Sequence, residues 1–412
     1  MSRTSDPATP AQAHEPGGAA SADLLARYGD ALMTTFGTPA RALVRGEGPY
    51  VWDAEGRRYL DLLGGIAVNA LGHAHPRLVA AIADQAATLV HVSNLFTSRV
   101  QVDLAEKLDA LVAGDSGLGA RVFFTNSGTE ANEAAFKATR RTGRTKVIAM
   151  EGSFHGRTMG ALSLTATEAY RAPFAPLVPD VTWVPYGDAD ALAAVMDDTV
   201  AAVVVEPIQG ESGVVVPPDG WLARARELCT AHGALLWLDE VQTGVGRTGT
   251  WLAAEHDGVV PDLVTLAKGL GGGVPIGACV GLGAAGDLLQ AGHHGSTFGG
   301  NPLACRAALE VIAVIEEDDL LAHVTATGDW LAAAIEGLGL PQISHVRGRG
   351  LLRGVVLTAP VAKDVHAKAL ADGFLINAPR PDVLRLAPPL IVTREQLEPF
   401  VAALPGWLGA SA

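Results

Sequence analysis

The chain has 412 residues, 49% of them hydrophobic, enough to bury a large core and to fold without covalent staples. Its formal charge of −14 argues against a broad nucleic-acid or anionic-membrane surface, which would need clustered Lys and Arg to displace counterions. Three cysteines, Cys229, Cys279 and Cys305, are too few and too far apart for a disulfide framework or a CxxC-type zinc site, and they point to a reducing, cytoplasmic setting.

The first stretch, MSRTSDPATPAQAHEPGGAASAD, is rich in Ala, Pro, Ser and Gly and lacks the apolar centre of a signal peptide, so residues 1–22 read as a disordered tail. No uninterrupted apolar run reaches the ~18 residues of a membrane span. YVWDAEGRRYLDLLGG reads as a hairpin, and HPRLVAAIADQAATLV and QVDLAEKLDALVAG read as helices with apolar residues at three-and-four spacing. From about position 120 the pattern alternates. RVFFTN, KVIAM, VAAVVVEP, ALLWLDE, DLVTLAKG and IGACVGLG are predicted strands; GTEANEAAFKATRRTG, ALAAVMDD and DGWLARARELCTAHG are predicted helices. Continuous Val/Ile/Leu runs without polar alternation describe strands buried on both faces, hence an α/β fold with a mostly parallel, helix-covered sheet. NPLACRAALEVIAVIEEDDLLAHVTATGDWLAAAIEGL reads as a long helical passage, and HVRGRGLLRGVVL and VLRLAPPL as strands of a smaller lobe. The expected division is a segment 23–70 joining the small domain, a large domain 71–300 and a C-terminal small domain 301–412.

In such sheets ligands bind outside the carboxyl ends of the strands, and three strand ends here carry chemistry. Ser127, Gly128 and Thr129 stand between a strand and a helix, where unsatisfied backbone N–H groups and a positive dipole suit a phosphate, although an ordinary Ser N-cap gives the same pattern. Lys268 ends an apolar run and is followed by glycines at 269, 271, 272 and 273. Desolvation there would lower its pKa and make it a Schiff-base amine, whereas a lone strand-end lysine is more often a snorkelling surface residue. Asp239 closes a buried strand with no basic neighbour in sequence; a protonated heterocyclic nitrogen would supply the missing cation. Pyridoxal 5′-phosphate carries that nitrogen, an aldehyde and a phosphate, and so answers all three.

The blocks TNSGTEANEAAFK, SFHGRT, VEPIQGESGV, LDEVQTGVGRTG, AKGLGGGVPIGA, STFGGNPLAC and RLAPPL together resemble the class III, or ω-amino, aminotransferases of fold type I, from about position 30 onward. Within them, LGHAHP and HVSNLF are similar to the branch that acts on N2-acetylornithine in arginine biosynthesis. The resemblance implies a pyridoxal phosphate enzyme that moves the δ-amino group of N2-acetylornithine to 2-oxoglutarate. It implies that Lys268 holds the cofactor covalently, that Asp239 pairs with its ring nitrogen and that Ser127, Gly128 and Thr129 bind its phosphate. Phe154 and Val241 would pack on the two ring faces and Gln242 would meet the phenolic oxygen, while Ser296 and Thr297 would reach the phosphate of a neighbouring subunit in a homodimer. Arg157 would hold the carboxylate of acetylornithine, Arg385 that of 2-oxoglutarate or glutamate, and Glu206 would cover Arg385 while the amine donor is bound. An Arg in a loop and a Glu before Pro207 also occur as plain structural residues.

Two GxGxxG matches, GVGRTG at 244–249 and GLGAAG at 281–286, lack the helix or the acidic strand end of a dinucleotide site. The pairs His73/His75 and His293/His294 have no carboxylate or cysteine partner in sequence, and no metal is expected. The pattern departs from the family at Phe36, where ornithine enzymes carry a tyrosine, and at Thr129, where many acetylornithine enzymes carry alanine. Alternatives on the same scaffold are a transaminase for ornithine, succinylornithine, N-succinyl-diaminopimelate or 4-aminobutyrate, and an aminomutase. A cofactor-less binding relative is the alternative of another class.

Overall fold

The computed structural model describes residues 20–409. Its centre is a seven-stranded sheet of β1 (Ala120–Thr125), β2 (Lys146–Met150), β3 (Val181–Val184), β4 (Val200–Val205), β5 (Leu235–Asp239), β6 (Leu263–Leu266) and β7 (Gly277–Leu282), in the order β1-β7-β6-β5-β4-β2-β3. Every residue of β4, β6 and β7 is buried, as their unbroken apolar runs require. β2 to β6 run parallel, and β7 runs antiparallel to both neighbours.

That one reversal places the site. Asp239 at the end of β5 pairs with Thr265 of β6, and Lys268 follows three residues later. Because β7 returns antiparallel, its first residue, Gly277, pairs with Thr125 at the end of β1. The lysine loop therefore starts beside Asp239 and finishes beside Ser127, so the charged strand ends converge on one rim of the sheet.

Two smaller four-stranded sheets complete the frame. Leu43–Glu47, Tyr50–Asp53 and Arg58–Asp61 form the expected hairpin region, and Phe374–Leu375, from far along the chain, adds in parallel to the last of them. Ile343–Arg349, Leu352–Leu357, Val383–Leu386 and Asn377–Arg380 form the other, wholly C-terminal sheet.

Three differences from the sequence reading bear on the frame. The expected tail lies outside the described residues up to position 19, but a helix, Ala20–Ala31, already begins within it. β3 was not foreseen: VTWV is a short edge strand, with three of its four residues only partly buried, between Asp180 and Pro185. The long helical passage is two helices, Pro302–Glu317 and Leu320–Glu336, broken where Asp319 takes a left-handed conformation, φ 49°. Among the described residues no helix is long and apolar enough to cross a membrane. The three cysteines are free and buried.

Candidate active site

A cavity of about 420 Å³ opens at the rim where the strand ends meet. Ser127, Gly128, Thr129, Phe154, Arg157, Glu206, Asp239, Val241, Gln242 and Lys268 all line it. A cavity of similar size, about 460 Å³, beside Arg121 and Cys279 at the sheet edge contains none of these residues.

The anion end is a helix start. Ser127 is the N-cap of Gly128–Arg140, its Oγ accepting from the Glu130 N–H at 3.3 Å. Gly128 is required: a Cβ there would stand 2.7 Å from Val241 Cγ1. The backbone can thus approach whatever lies above Val241. Thr129 Oγ1 is tied to Thr158 Oγ1 at 2.8 Å, which joins this loop to the segment carrying Phe154 and Arg157.

Asp239, buried at β5's end, has partners that the sequence order hid. Its Oδ2 accepts from Asn132 Nδ2 at 2.8 Å and faces His155 Nδ1 at 2.7 Å, and its Oδ1 accepts from the Val241 N–H at 3.1 Å. The Asn132 amide also donates to the His155 carbonyl at 2.7 Å and accepts from Thr265 Oγ1 at 2.7 Å, locking helix, loop and β6 together. Burial works against the His155 imidazolium, but the hydrogen bond and charge of Asp239, with Glu206 farther off, raise its pKa above the ordinary value. Its Nε2 is buried without a partner. The adjacent Glu240 turns elsewhere: it accepts from the N–H groups of Ala253 and Ala254, both at 3.0 Å, and burial raises its pKa to about 7.

Lys268 is partly exposed to the cavity and adopts φ 42°. Desolvation first, and the nearby Arg385 charge second, lower its pKa to about 8 against the opposing pull of Glu211, Asp239 and Glu206. An amine so placed is a usable nucleophile and base near neutral pH.

Two guanidinium groups belong to the site in different states, Arg157 in the cavity wall and Arg385 joined to it through Gln242. Arg385 is almost wholly buried on Val383–Leu386; its Nη1 donates to Glu211 Oε1 at 2.5 Å and to Gln242 Oε1 at 3.2 Å, while its Nε has no partner. Burial alone would raise the Glu211 carboxyl, but Arg385 holds it below its ordinary pKa. Gln242 fits here because residue 210 is glycine, whose Cβ would otherwise stand 2.1 Å from its Oε1. Arg157 is exposed, its guanidinium 3.5 Å from the centre of the Tyr170 ring and 5.5 Å from that of Phe154.

The sequence reading needs correction at Glu206. It does not pair with Arg385; its Oε1 accepts from the Phe154 N–H at 2.9 Å, and burial raises its pKa to about 7. Glu211, five residues on, does the pairing, and could have been singled out as the only other acid of VEPIQGESGV. Ser296 and Thr297 do not line the cavity of their own chain: Ser296 Oγ accepts from Asn126 Nδ2 at 3.3 Å and from the Gly299 N–H at 2.9 Å, and Thr297 is exposed. Asn132, His155 and Tyr170 carried no assigned role.

A profile of the family described as Aminotransferase class-III matches residues 35–407. The chain belongs to the class-III aminotransferases. It is 57% identical over 389 residues to acetylornithine aminotransferase of Mycolicibacterium smegmatis, covering 94% of this chain and 99% of that protein. The acetylornithine aminotransferase of Streptomyces coelicolor is 55% identical, with 95% and 96% covered. Among solved structures, ornithine aminotransferase of Toxoplasma gondii superposes with a TM-score of 0.89 at 36% identity, covering 94% of this chain and 95% of that one. Acetylornithine aminotransferase of Elizabethkingia anophelis does so with 0.82 at 32%, covering 94% and 98%.

The pocket of this class-III aminotransferase suits a group that is anionic at one end and cationic at its ring. The helix start meets the first demand, the buried Asp239 carboxylate the second, and the Lys268 amine stands within the same cavity.

Proposed function

We propose that this chain moves the δ-amino group of N2-acetylornithine to 2-oxoglutarate with pyridoxal 5′-phosphate. The observation that carries the reading is one cavity lined by an amine of lowered pKa, a buried strand-end carboxylate and the exposed Arg157, with the covered Arg385 joined to it through Gln242. Its likeness to relatives named acetylornithine aminotransferase supports the donor. When bound, the cofactor supplies an aldehyde for amine exchange and a ring that accepts electrons.

The residues divide the work. Ser127, Gly128 and Thr129 hold the phosphate with the first N–H groups of the helix. Asp239, fixed by Asn132 and His155, would keep the ring nitrogen protonated, and Phe154 and Val241 would flank the ring. Gln242, which accepts from Arg385, would also meet the phenolic oxygen. Lys268 would hold the cofactor, and its Nζ as a free amine would take and return the proton at the carbon bearing the substrate's amine.

Arg157 receives the carboxylate of acetylornithine; Arg385 receives the second carboxylate of 2-oxoglutarate after Glu211 withdraws. Covering Arg385 keeps a bare buried cation from facing the neutral part of the amine donor. Glu206 orients the Phe154 backbone instead.

A second copy of the chain completes this reading. Leu95, Phe96 and Phe298 are 87%, 70% and 59% exposed, and Asn94 binds the carbonyls of Ser296 and Gly299, so the apolar patch and Thr297 share one surface. A homodimer would bury the patch and bring Ser296 and Thr297 to the partner's phosphate. The deciding experiment is a donor panel with 2-oxoglutarate. Acetylornithine should give the highest kcat/KM; negligible turnover with it alongside rapid turnover of ornithine or 4-aminobutyrate would overturn the assignment.

A further inference from the structure

The segment 209–215 that carries Glu211 packs as a small loop closed by a bridge between Gln209 and Val215. Three consecutive residues of this loop are gripped by three arginines of the C-terminal four-stranded sheet. Arg385 binds the Glu211 carboxylate at 2.5 Å. Arg380 Nη2 donates to Ser212 Oγ at 3.1 Å, and that hydroxyl in turn donates to the Gly152 carbonyl at 2.7 Å. Arg347 donates through both Nε and Nη2, at 3.0 and 2.7 Å, to the carbonyl of Gly213.

The fit around that carbonyl is close. Gly213 takes φ 95°, and a Cβ there would meet Arg347 Nη2 and Val383 Cγ2, both at 3.2 Å. On the opposing strand Gly354 has no side chain, and a Cβ on it would stand 2.9 Å from the same Gly213 oxygen. The sheet has thus been cleared of bulk so that one guanidinium fork can close on one backbone carbonyl two residues from Glu211.

We propose that Arg347, assisted by Arg380, is a positioning residue that sets how firmly Glu211 covers Arg385, and so sets the balance between the two substrates. The inference rests on Glu211 alternating on and off Arg385, as the proposed function requires. A carboxylate on a short flexible loop leaves its partner easily; a loop clamped at residues 212 and 213 does not. Loosening the clamp frees Arg385 for a dicarboxylate and leaves it uncovered when the amine donor binds. The two effects have opposite signs, which mere damage to the fold would not produce.

The test uses the full-length holoenzyme and its variants Arg347→Ala, Arg347→Lys and Arg380→Ala. Calorimetry with glutarate, a dicarboxylate without a keto group, reads the availability of Arg385 without turnover. In Arg347→Ala, glutarate should bind about threefold to tenfold tighter while kcat/KM for acetylornithine falls by a similar factor, as expected for a coupled pair. Arg347→Lys, with one donor restored, should lie between, and Arg380→Ala should shift both quantities the same way by less. Arg380 is exposed, so its variant carries the test if Arg347→Ala does not fold. Unchanged or weaker glutarate binding in the folded variants, or a fall in both quantities together, would overturn the proposal. Absence of acetylornithine turnover in the unaltered enzyme would instead defeat the substrate assignment and leave the glutarate comparison standing.

Discussion

Arg157 lines the cavity and Arg385 is joined to it through Gln242, yet the protein treats the two differently. Arg385 is buried and already paired, with Glu211 and Gln242 on one of its nitrogens. Arg157 is exposed and rests only on aromatic faces, closest to Tyr170. A buried cation without a partner is costly, so Arg385 must be covered whenever its ligand is away; a solvated one needs no cover. An enzyme that takes one carboxylate in one half of its cycle and two in the other needs one permanent receptor and one that can be masked. The roles proposed for the two arginines would meet that need.

The largest blow to this comparison falls beneath both arginines. Lys268→Ala should lower transamination by ~10²-fold to 10⁴-fold or more, by removing the group that moves the proton, in steady-state assays with either substrate pair. An active variant would mean that neither arginine serves the chemistry assigned here. Next comes Arg385→Ala, which leaves the half-buried Glu211 without its cation and should weaken 2-oxoglutarate by roughly 30-fold or more in KM. Arg157→Ala should instead raise the KM for acetylornithine by roughly tenfold, from hydrogen bonds to a charged group worth about 1.5 kcal/mol. Equal effects of the two substitutions on both substrates would erase the distinction.

A finer measure concerns Tyr170. Tyr170→Ala should raise the KM for acetylornithine about twofold to fivefold, the loss of about 0.5–1 kcal/mol from an exposed cation–π contact, and Tyr170→Phe should restore it. The smallest effect is one of pH. Lys268 must be neutral to react, and its pKa is lowered to about 8, so the cofactor-free protein should take up pyridoxal phosphate faster as pH rises through about 8 and level off above. Because Arg385 contributes to that lowering, Arg385→Ala should move the midpoint upward, which absorbance-monitored uptake would reveal.

How much of this was legible beforehand depended on distance along the chain. Lys268, Asp239 and the 127–129 turn are each announced by a local pattern, an apolar run meeting a charge or a small polar cluster, and strand ends of an α/β sheet share a rim. The partners of Asp239 were hidden because Asn132 and His155 lie 107 and 84 positions away. Arg385 and Glu211 are 174 apart, so choosing between Glu206 and Glu211 required the fold itself. The broken helix was more readable: two glutamates and two aspartates in a row at 316–319 interrupt the apolar stripe where the two helices part. β3 gave little sign, since an edge strand of four residues buries too little to impose a pattern.

Gly277 opens the one reversed strand, and a single methyl added there would collide with Thr125 Oγ1 at 2.5 Å and the Ser127 carbonyl at 2.7 Å. The hinge of the lysine segment and the Ser127 turn proposed to seat the phosphate are thereby a single mechanical joint. An engineer seeking to widen the pocket cannot adjust one without displacing the other, and a substitution at this position would cost cofactor retention and amine reactivity together.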